Sequence, residues 1–74
     1  MSGKMTIDAG RVKELLDERH WTWADLAREM GMAKSTVIRV KSGQTSPGAD
    51  FVFALIGVFP EYRDELFLPR NRAA

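Results

Sequence analysis

Three residues at fixed separations constrain the fold of this chain most strongly. Ala27 is followed by Gly31 four positions later and by Val37 ten positions later. Two helices that cross steeply through a tight turn need a small side chain where they touch, a glycine where the chain reverses, and an apolar residue that reaches the core from the second helix. The spacing therefore predicts a helix-turn-helix over about residues 23–42.

The sequence before this motif predicts a first helix. Val12, Leu15 and Leu16 recur at the i, i+3, i+4 spacing that lines one helical face, and charged residues occupy most of the remaining positions. Asp8 is a suitable N-cap. A helix capped by Asp8 is therefore predicted to run to Arg19.

Capping residues divide the motif into a second and a third helix. Thr22 is predicted to cap a helix over about residues 23–30 by accepting a hydrogen bond from the amide of Asp25. Gly31 is predicted to end that helix, since glycine tolerates the left-handed conformation best. The third helix is then expected over about residues 34–42.

Two further helices are predicted after the motif. Ser46 and Pro47 resemble a cap followed by the first helical position, and they predict a fourth helix over residues 47–59. Its apolar residues cover nearly the whole circumference, more than one amphipathic stripe requires, so some of that surface must be covered. A short terminal helix is predicted over residues 61–67, before Pro69 stops it.

The 74 residues correspond to one domain, which buries only about 60% of its unfolded surface. The predicted fold class is all-α, a compact bundle of four to five helices. Residues 1–7 are predicted to be a flexible N-terminal segment, residues 8–68 the domain, and residues 69–74 a frayed tail.

Composition excludes several classes of function. The net charge of +1 gives no global electrostatic argument for binding to nucleic acid or to a membrane. Cysteine is absent, so the chain has no disulfide and no thiolate metal site. The apolar run at residues 51–59 is about half of what a membrane span needs, and no apolar stretch follows the N-terminus as in a secretory signal. His20 is the only histidine, and no phosphate-binding loop or nucleophile–base pair is recognisable. We therefore expect a cytoplasmic protein that is no enzyme, with no cofactor, metal, small-molecule ligand or membrane partner.

These residues together resemble the Cro/repressor-type, or Xre-like, helix-turn-helix family of bacterial and phage transcription regulators. The resemblance covers roughly residues 8–59, and it rests on the segments RVKELLDER, ADLAREMG and GMAKST, with Thr22, Val37, Ser42, Gly43 and Pro47. It implies a lambda-repressor-like DNA-binding domain, bacterial or phage-encoded and associated with the nucleoid. It also implies double-stranded DNA, a palindromic operator and a homodimer.

The chain departs from the family pattern at a few positions. Trp23 stands where the family often has a glutamine that reaches phosphate, and Ala33 replaces the usual Ser or Thr cap of the third helix. Leu16 and Lys41 occupy the positions of a buried Arg–Glu pair that is common in the family. Replacing both partners leaves no unpaired charge in the core.

The third helix has one core face and one outer face. At 100° per residue, Val37 and Val40 fall on one side, and the residues on the other are suited to a major groove. Arginine can donate to O6 and N7 of guanine together, which is worth about 1 to 3 kcal/mol of discrimination, and an isoleucine can contact a thymine methyl. The predicted base contacts, which the resemblance supports at all but the isoleucine, are Lys34, Ser35, Ile38 and Arg39.

Phosphate contacts are predicted around this helix. Residues 33–49 contain three cations and no acid, giving +3, whereas residues 50–68 contain four acids and one arginine, giving −3. For Trp23, core packing or stacking on the recognition helix is an equal alternative to a phosphate bond. Arg11 and Lys13 on the first helix are expected to be solvated. The candidates for phosphate contact are Thr22, Trp23, Lys41, Ser42, Gln44, Thr45 and Ser46.

A symmetric dimer would supply a second recognition helix for the second half-site. The excess apolar surface of the fourth helix and the segment after it is the predicted interface, comprising Phe51, Val58, Phe59, Tyr62, Leu66 and Phe67. The alternative is that the final segment folds back and completes the core of its own domain.

The sequence thus predicts a sequence-specific DNA-binding transcription regulator, a small repressor that reads the major groove with its third helix as a homodimer. The alternative is a helix-turn-helix protein-interaction module, antitoxin-like or a regulatory partner, whose DNA binding is secondary.

Overall fold

The computed structural model describes residues 5–68, so residues 1–4 of the predicted flexible segment and the predicted tail 69–74 lie outside the described part. Four α-helices and one 3₁₀ helix make up most of residues 5–68, and a short strand precedes and another follows them. This confirms the predicted all-α class of four to five helices. In order, the elements are β1 (Thr6–Ile7), α1 (Ala9–Arg19), α2 (Trp23–Met30), α3 (Lys34–Lys41), α4 (Ala49–Val58), the 3₁₀ helix (Pro60–Glu65) and β2 (Phe67–Leu68).

One hydrophobic core receives buried side chains from all four α-helices. Ala27 and Val37, the small and the apolar residue of the predicted motif, are 2% and 0% exposed. Gly31 between them has φ of +72°, in the left-handed region that glycine tolerates without strain. The helix-turn-helix is therefore confirmed, and α2 packs against α3. The other buried apolar residues are Ile7, Val12, Leu15, Leu16, Leu26, Met30, Val40, Phe51, Leu55, Phe59 and Leu66.

The starts of α1 and α2 follow the predicted caps. The amide of Arg11 donates to Oδ1 of Asp8 at 3.1 Å. The amide of Asp25 donates to Oγ1 of Thr22 at 3.1 Å, and the amide of Thr22 donates back to Oδ2 of Asp25 at 2.8 Å. This reciprocal pair is a capping box, which satisfies two amides that a helix start leaves unpaired.

The start of α4 differs from the prediction. Ser46 is not the cap, and Pro47 is not the first helical residue, because α4 begins at Ala49 with Gly48 as its N-cap. The amides of Gln44 and Thr45 donate to the carbonyl of Arg39 at 3.0 and 3.4 Å, so the chain is still tied to the end of α3 at that point. The residues that follow are needed to carry the chain away before it can turn into a helix.

The two ends of the described chain also differ from the prediction. The prediction that residues 1–7 are flexible is wrong for Thr6 and Ile7, which form a strand. The terminal helix ends at Glu65 and does not reach Phe67. Instead β1 pairs antiparallel with β2, with Thr6 opposite Leu68 and Ile7 opposite Phe67. Ile7 is 6% exposed, so its burial in the core accompanies the pairing of these backbone groups.

Half of the predicted dimer interface is wrong. Phe51, Phe59 and Leu66 are 2%, 1% and 0% exposed, so they fill the core of their own domain and present no surface to a partner. The final segment folds back, as the alternative proposed. Arg11 helps to hold it, since its Nε donates to Glu65 at 2.6 Å and its guanidinium lies 5.3 Å from the Tyr62 ring centroid.

Replacing Gly31 with alanine tests the turn. A Cβ at this position would meet no atom within 4 Å, so the only cost is the left-handed backbone. We expect Gly31→Ala to lower the free energy of unfolding by about 1 to 2 kcal/mol, measured by urea denaturation. Gly57 is the matched control because it lies within α4 and also has open space around its Cβ position. Gly57→Ala is expected to raise stability by about 0.5 to 1 kcal/mol. Equal effects at both positions would contradict this account of the turn.

The capping box predicts an acid-dependent loss of stability. The hydrogen bond from the Thr22 backbone amide lowers the pKa of Asp25 below its ordinary value. Because the folded pKa lies below the unfolded one, the contribution is complete above the ordinary carboxyl range of about 4 and is lost as pH falls through the folded pKa. We expect Asp25→Asn to remove part of the decline in unfolding free energy over that acid range. Asp64→Asn is the control, since Asp64 forms no hydrogen bond or ion pair within residues 5–68. An unchanged decline in Asp25→Asn would rule out this role.

Candidate nucleic-acid interface

Burial of one side of α3 orients its other side toward solvent. Val37 and Val40 are 0% and 3% exposed and anchor the helix in the core. The four predicted base-contacting residues lie together on the opposite side. Lys34, Ser35 and Arg39 are exposed. Ile38 lies among them and is half-buried.

The cationic side chains of α3 are not neutralised by acids. Within residues 5–68, the side chains of Lys34, Arg39 and Lys41 take part in no hydrogen bond or ion pair. Elsewhere, several cations of the domain are held by carboxylates on their own helices or on neighbouring ones; these are Arg11, Lys13 and Arg28. Positive charge therefore remains available on α3, where a polyanion could use it.

Arg11 and Lys13 of α1 are engaged by acids, rather than simply solvated as predicted. The hydrogen bond with Glu65, followed by that with Glu14, raises the pKa of Arg11 above its ordinary value. Nζ of Lys13 lies 3.1 Å from a carboxylate oxygen of Asp17. Both cations are therefore less available to DNA than the cations of α3.

The residues in the first turn of α3 are unfavourable for helix stability. Ala33 is the N-cap in an extended conformation and offers no side-chain hydrogen bond. Lys34 then places a cation at the positive end of the helix dipole, where an acid would be favourable by about 0.3 to 1 kcal/mol. No acid occupies the first turn. Such local conflicts are expected where a surface serves binding rather than folding.

The loop after α3 is held beside that helix by backbone hydrogen bonds. The carbonyl of Arg39 accepts hydrogen bonds from the hydroxyl of Ser42 at 3.2 Å and from the amide of Gln44 at 3.0 Å. Gly43 makes the bend with φ of +86°. The loop residues that were predicted to contact phosphate are all exposed around this bend, namely Ser42, Gln44, Thr45 and Ser46.

At the start of α2, Thr22 is exposed and Trp23 is half-buried. Nζ of Lys41 lies 5.1 Å from the centroid of the Trp23 ring, which is a cation–π contact. Of the roles considered for Trp23, packing on the core and contact with α3 are therefore confirmed. The phosphate bond remains a prediction.

Phe53 is an exposed apolar residue that the sequence pattern did not assign to any surface. Phe53 of α4 is 73% exposed, and it lies on the same side of the helix as Asp50 and Gly57. Because α4 is apolar around nearly its whole circumference, periodicity alone did not distinguish its outer side. The spacing of Asp50, Phe53 and Gly57 at i, i+3, i+7 was the available signal.

A family model described as Helix-turn-helix matches residues 12–66. The chain belongs to the Cro/repressor-type helix-turn-helix family. It is thus a DNA-binding regulatory domain whose partner class is double-stranded DNA. No curated protein and no solved structure matches it.

Two findings concern other kinds of site. No described helix of this helix-turn-helix domain has the length and apolar character that crossing a membrane requires. Among residues 5–68, no group of three or more His, Asp or Glu side chains is arranged to hold a metal ion.

Adding a cap to α3 should stabilise the domain. Ala33 is exposed and has the extended backbone of an N-cap, so a serine there can accept a hydrogen bond from an amide of the first turn. We expect Ala33→Ser to raise the free energy of unfolding by about 1 kcal/mol in urea denaturation. Ala49→Ser is the matched control, because Ala49 is exposed within the first turn of α4 rather than at its cap. A gain no larger than that of the control would contradict the assignment.

Proposed function

We propose that this chain is a sequence-specific transcription regulator that inserts α3 into the major groove of an operator. The observation that carries the proposal is the outer side of α3, where Lys34 and Arg39 are exposed and unpaired within the described residues. The helix is fixed from the other side by Val37 and Val40. A rigid helix with free donors on its outer side matches what direct readout requires.

Each base-contacting residue has a separate role. Arg39 reads guanine, because its guanidinium can donate to O6 and N7 together. Lys34 and Ser35, one turn earlier, donate to guanine or to an adjacent phosphate. Ile38 lies between them and contacts a thymine methyl, which gives a reason for a partly exposed isoleucine in a polar patch.

Phosphate contacts flank α3 and set its register. Lys41 is the last residue of α3, and beyond it lie the loop residues Ser42, Gln44, Thr45 and Ser46. Thr22 keeps its hydroxyl proton for a phosphate oxygen, since the hydroxyl only accepts in the capping box. These contacts carry no base information, but they give affinity and a strong dependence on salt.

The regulator acts as a homodimer on a palindromic operator in the cytoplasm. Each protomer has one recognition helix among its described residues, and two half-sites lie about 34 Å apart. With Phe51, Phe59 and Leu66 withdrawn into the core, the interface uses apolar residues that are still accessible, namely Phe53, Val58, Tyr62 and Phe67. Repression follows if the bound dimer covers a site that polymerase needs.

Selection of bound sequences from a random DNA pool tests this function. We expect an inverted repeat for the wild type, and Arg39→Ala should lose preference at one base pair per half-site, worth about 1 to 3 kcal/mol. Arg63→Ala is the control, because it removes the same charge from an exposed residue within the acidic 3₁₀ helix. The operator motif of the control should be unchanged. No enriched motif for the wild type would reject the function, a single half-site would reject the dimer, and an unaltered Arg39→Ala motif would reject Arg39 as a reader.

A protein-interaction module is the second candidate function. Phe53, 73% exposed on α4, favours it, because a large apolar side chain on the surface is suited to a protein partner. Salt-sensitive binding to a defined palindrome favours the DNA regulator, whereas tight binding to a protein without any DNA shift favours the module.

A further inference from the structure

One cation of α3 is held by an aromatic ring rather than by an acid. Lys41 is the last residue of α3, and its Nζ lies 5.1 Å from the ring centroid of Trp23, the first residue of α2. Trp23 is half-buried, so its ring has support from the domain, whereas Lys41 is exposed. The contact joins the two ends of the helix-turn-helix that lie farthest apart in sequence.

The ring restrains Lys41 without consuming its hydrogen-bonding capacity. A lysine side chain carries about 2 kcal/mol of rotamer entropy, part of which is lost when the ammonium binds a ligand. The attraction between the ammonium and the ring face is electrostatic and does not require a hydrogen bond to an acceptor atom. The three N–H groups of the ammonium therefore stay available to a ligand. Within residues 5–68 none of them is used.

A nearby carboxylate gives the positive charge of Lys41 a further role. The carboxylate of Asp25 lies at the start of α2, where it accepts the amide of Thr22 and is paired with Arg28 at 3.3 Å. An acid at this position opposes the approach of a phosphate to the helix start. The ammonium of Lys41 beside Trp23 supplies positive charge at the same end of α2.

We propose that Lys41 binds one phosphate of the operator backbone and that Trp23 is its positioning residue. Trp23 acts through Lys41 and needs no bond of its own to DNA. The proposal rests on the proposed function, because it assigns one contact within that same interface. It also assigns a role to the pair Trp23 and Lys41, two of the positions where this chain departs from the family pattern.

The pairing itself can be tested in the free protein by NMR. Protons near the face of an indole ring are shifted upfield, so the ε-methylene of Lys41 should show such a shift in the wild type. Trp23→Leu should abolish the shift, and Trp23→Phe should retain part of it, since phenylalanine binds cations less strongly than tryptophan. Equal Lys41 shifts in the wild type and Trp23→Leu would overturn the pairing.

The role in DNA binding can be tested by affinity as a function of salt, using the selected operator. Lys41→Met should reduce the slope of log K against log salt concentration by about 0.9, the value of one phosphate contact. Lys41→Arg should keep the slope, because arginine is also charged and stacks on aromatic rings. Arg19→Met is the matched control. Arg19 forms the same type of contact with Trp21, at 5.0 Å, but on α1, so its removal should leave the slope unchanged.

A double-mutant cycle separates positioning from a general structural role. In a chain that retains Lys41, Trp23→Leu should weaken operator binding about two- to fivefold, as expected for a contact of about 0.5 to 1 kcal/mol. It should have no further effect in a Lys41→Met background. Equal losses in both backgrounds, or a slope unaffected by Lys41→Met, would overturn the proposal.

A second Trp23 variant and the DNA binding of the wild type complete the test. Trp23→Phe repeats the cycle if Trp23→Leu fails to fold, and its expected loss is smaller than that of leucine. If the wild type binds no DNA, the proposed function and the phosphate contact are both rejected, whereas the NMR shift still decides whether Trp23 holds Lys41. Binding by the wild type with an unchanged Lys41→Met slope rejects the phosphate contact alone.

Discussion

The packing of α2 against α3 over the turn at Gly31 is the contact on which the interface depends. Ala27 is small enough for the two helices to approach closely, and Val37 directs one side of α3 into the core. Since α3 is only eight residues long, this burial decides which of its residues face solvent. The proposed recognition surface is thus a consequence of a packing contact on the opposite side of the same helix.

The parts of this arrangement that depend on local chemistry were predictable from sequence. The capping box at Thr22, the left-handed turn at Gly31 and the two-sided character of α3 each follow from a few neighbouring residues. The start of α4 was not predictable in this way. Ser46 and Pro47 have the composition of a helix start, but the loop amides are still bonded to the carbonyl of Arg39 at that point. These hydrogen bonds at the C-terminal end of α3 overrode the helix-start preference of Ser46 and Pro47.

Contacts between distant segments account for the other differences. The pairing of Thr6 and Ile7 with Leu68 and Phe67 joins residues about sixty positions apart, and strands of two residues leave almost no periodic signal. The burial of Phe59 and Leu66 has the same origin. An apolar residue near the end of a small domain is equally suited to its own core and to a partner, and only the path of the chain decides between them. Of the candidate site, the placement of α3 followed from sequence, whereas the Trp23–Lys41 contact required the tertiary structure.

The β1–β2 pair has a practical meaning for the geometry of the whole molecule. Because Thr6 lies opposite Leu68, the first and last described residues emerge side by side at one pole of the domain. A fluorescent tag or an affinity handle joined directly to either end of residues 5–68 would therefore depart from the same location. A short linker between these two positions would give a circular form of the described segment.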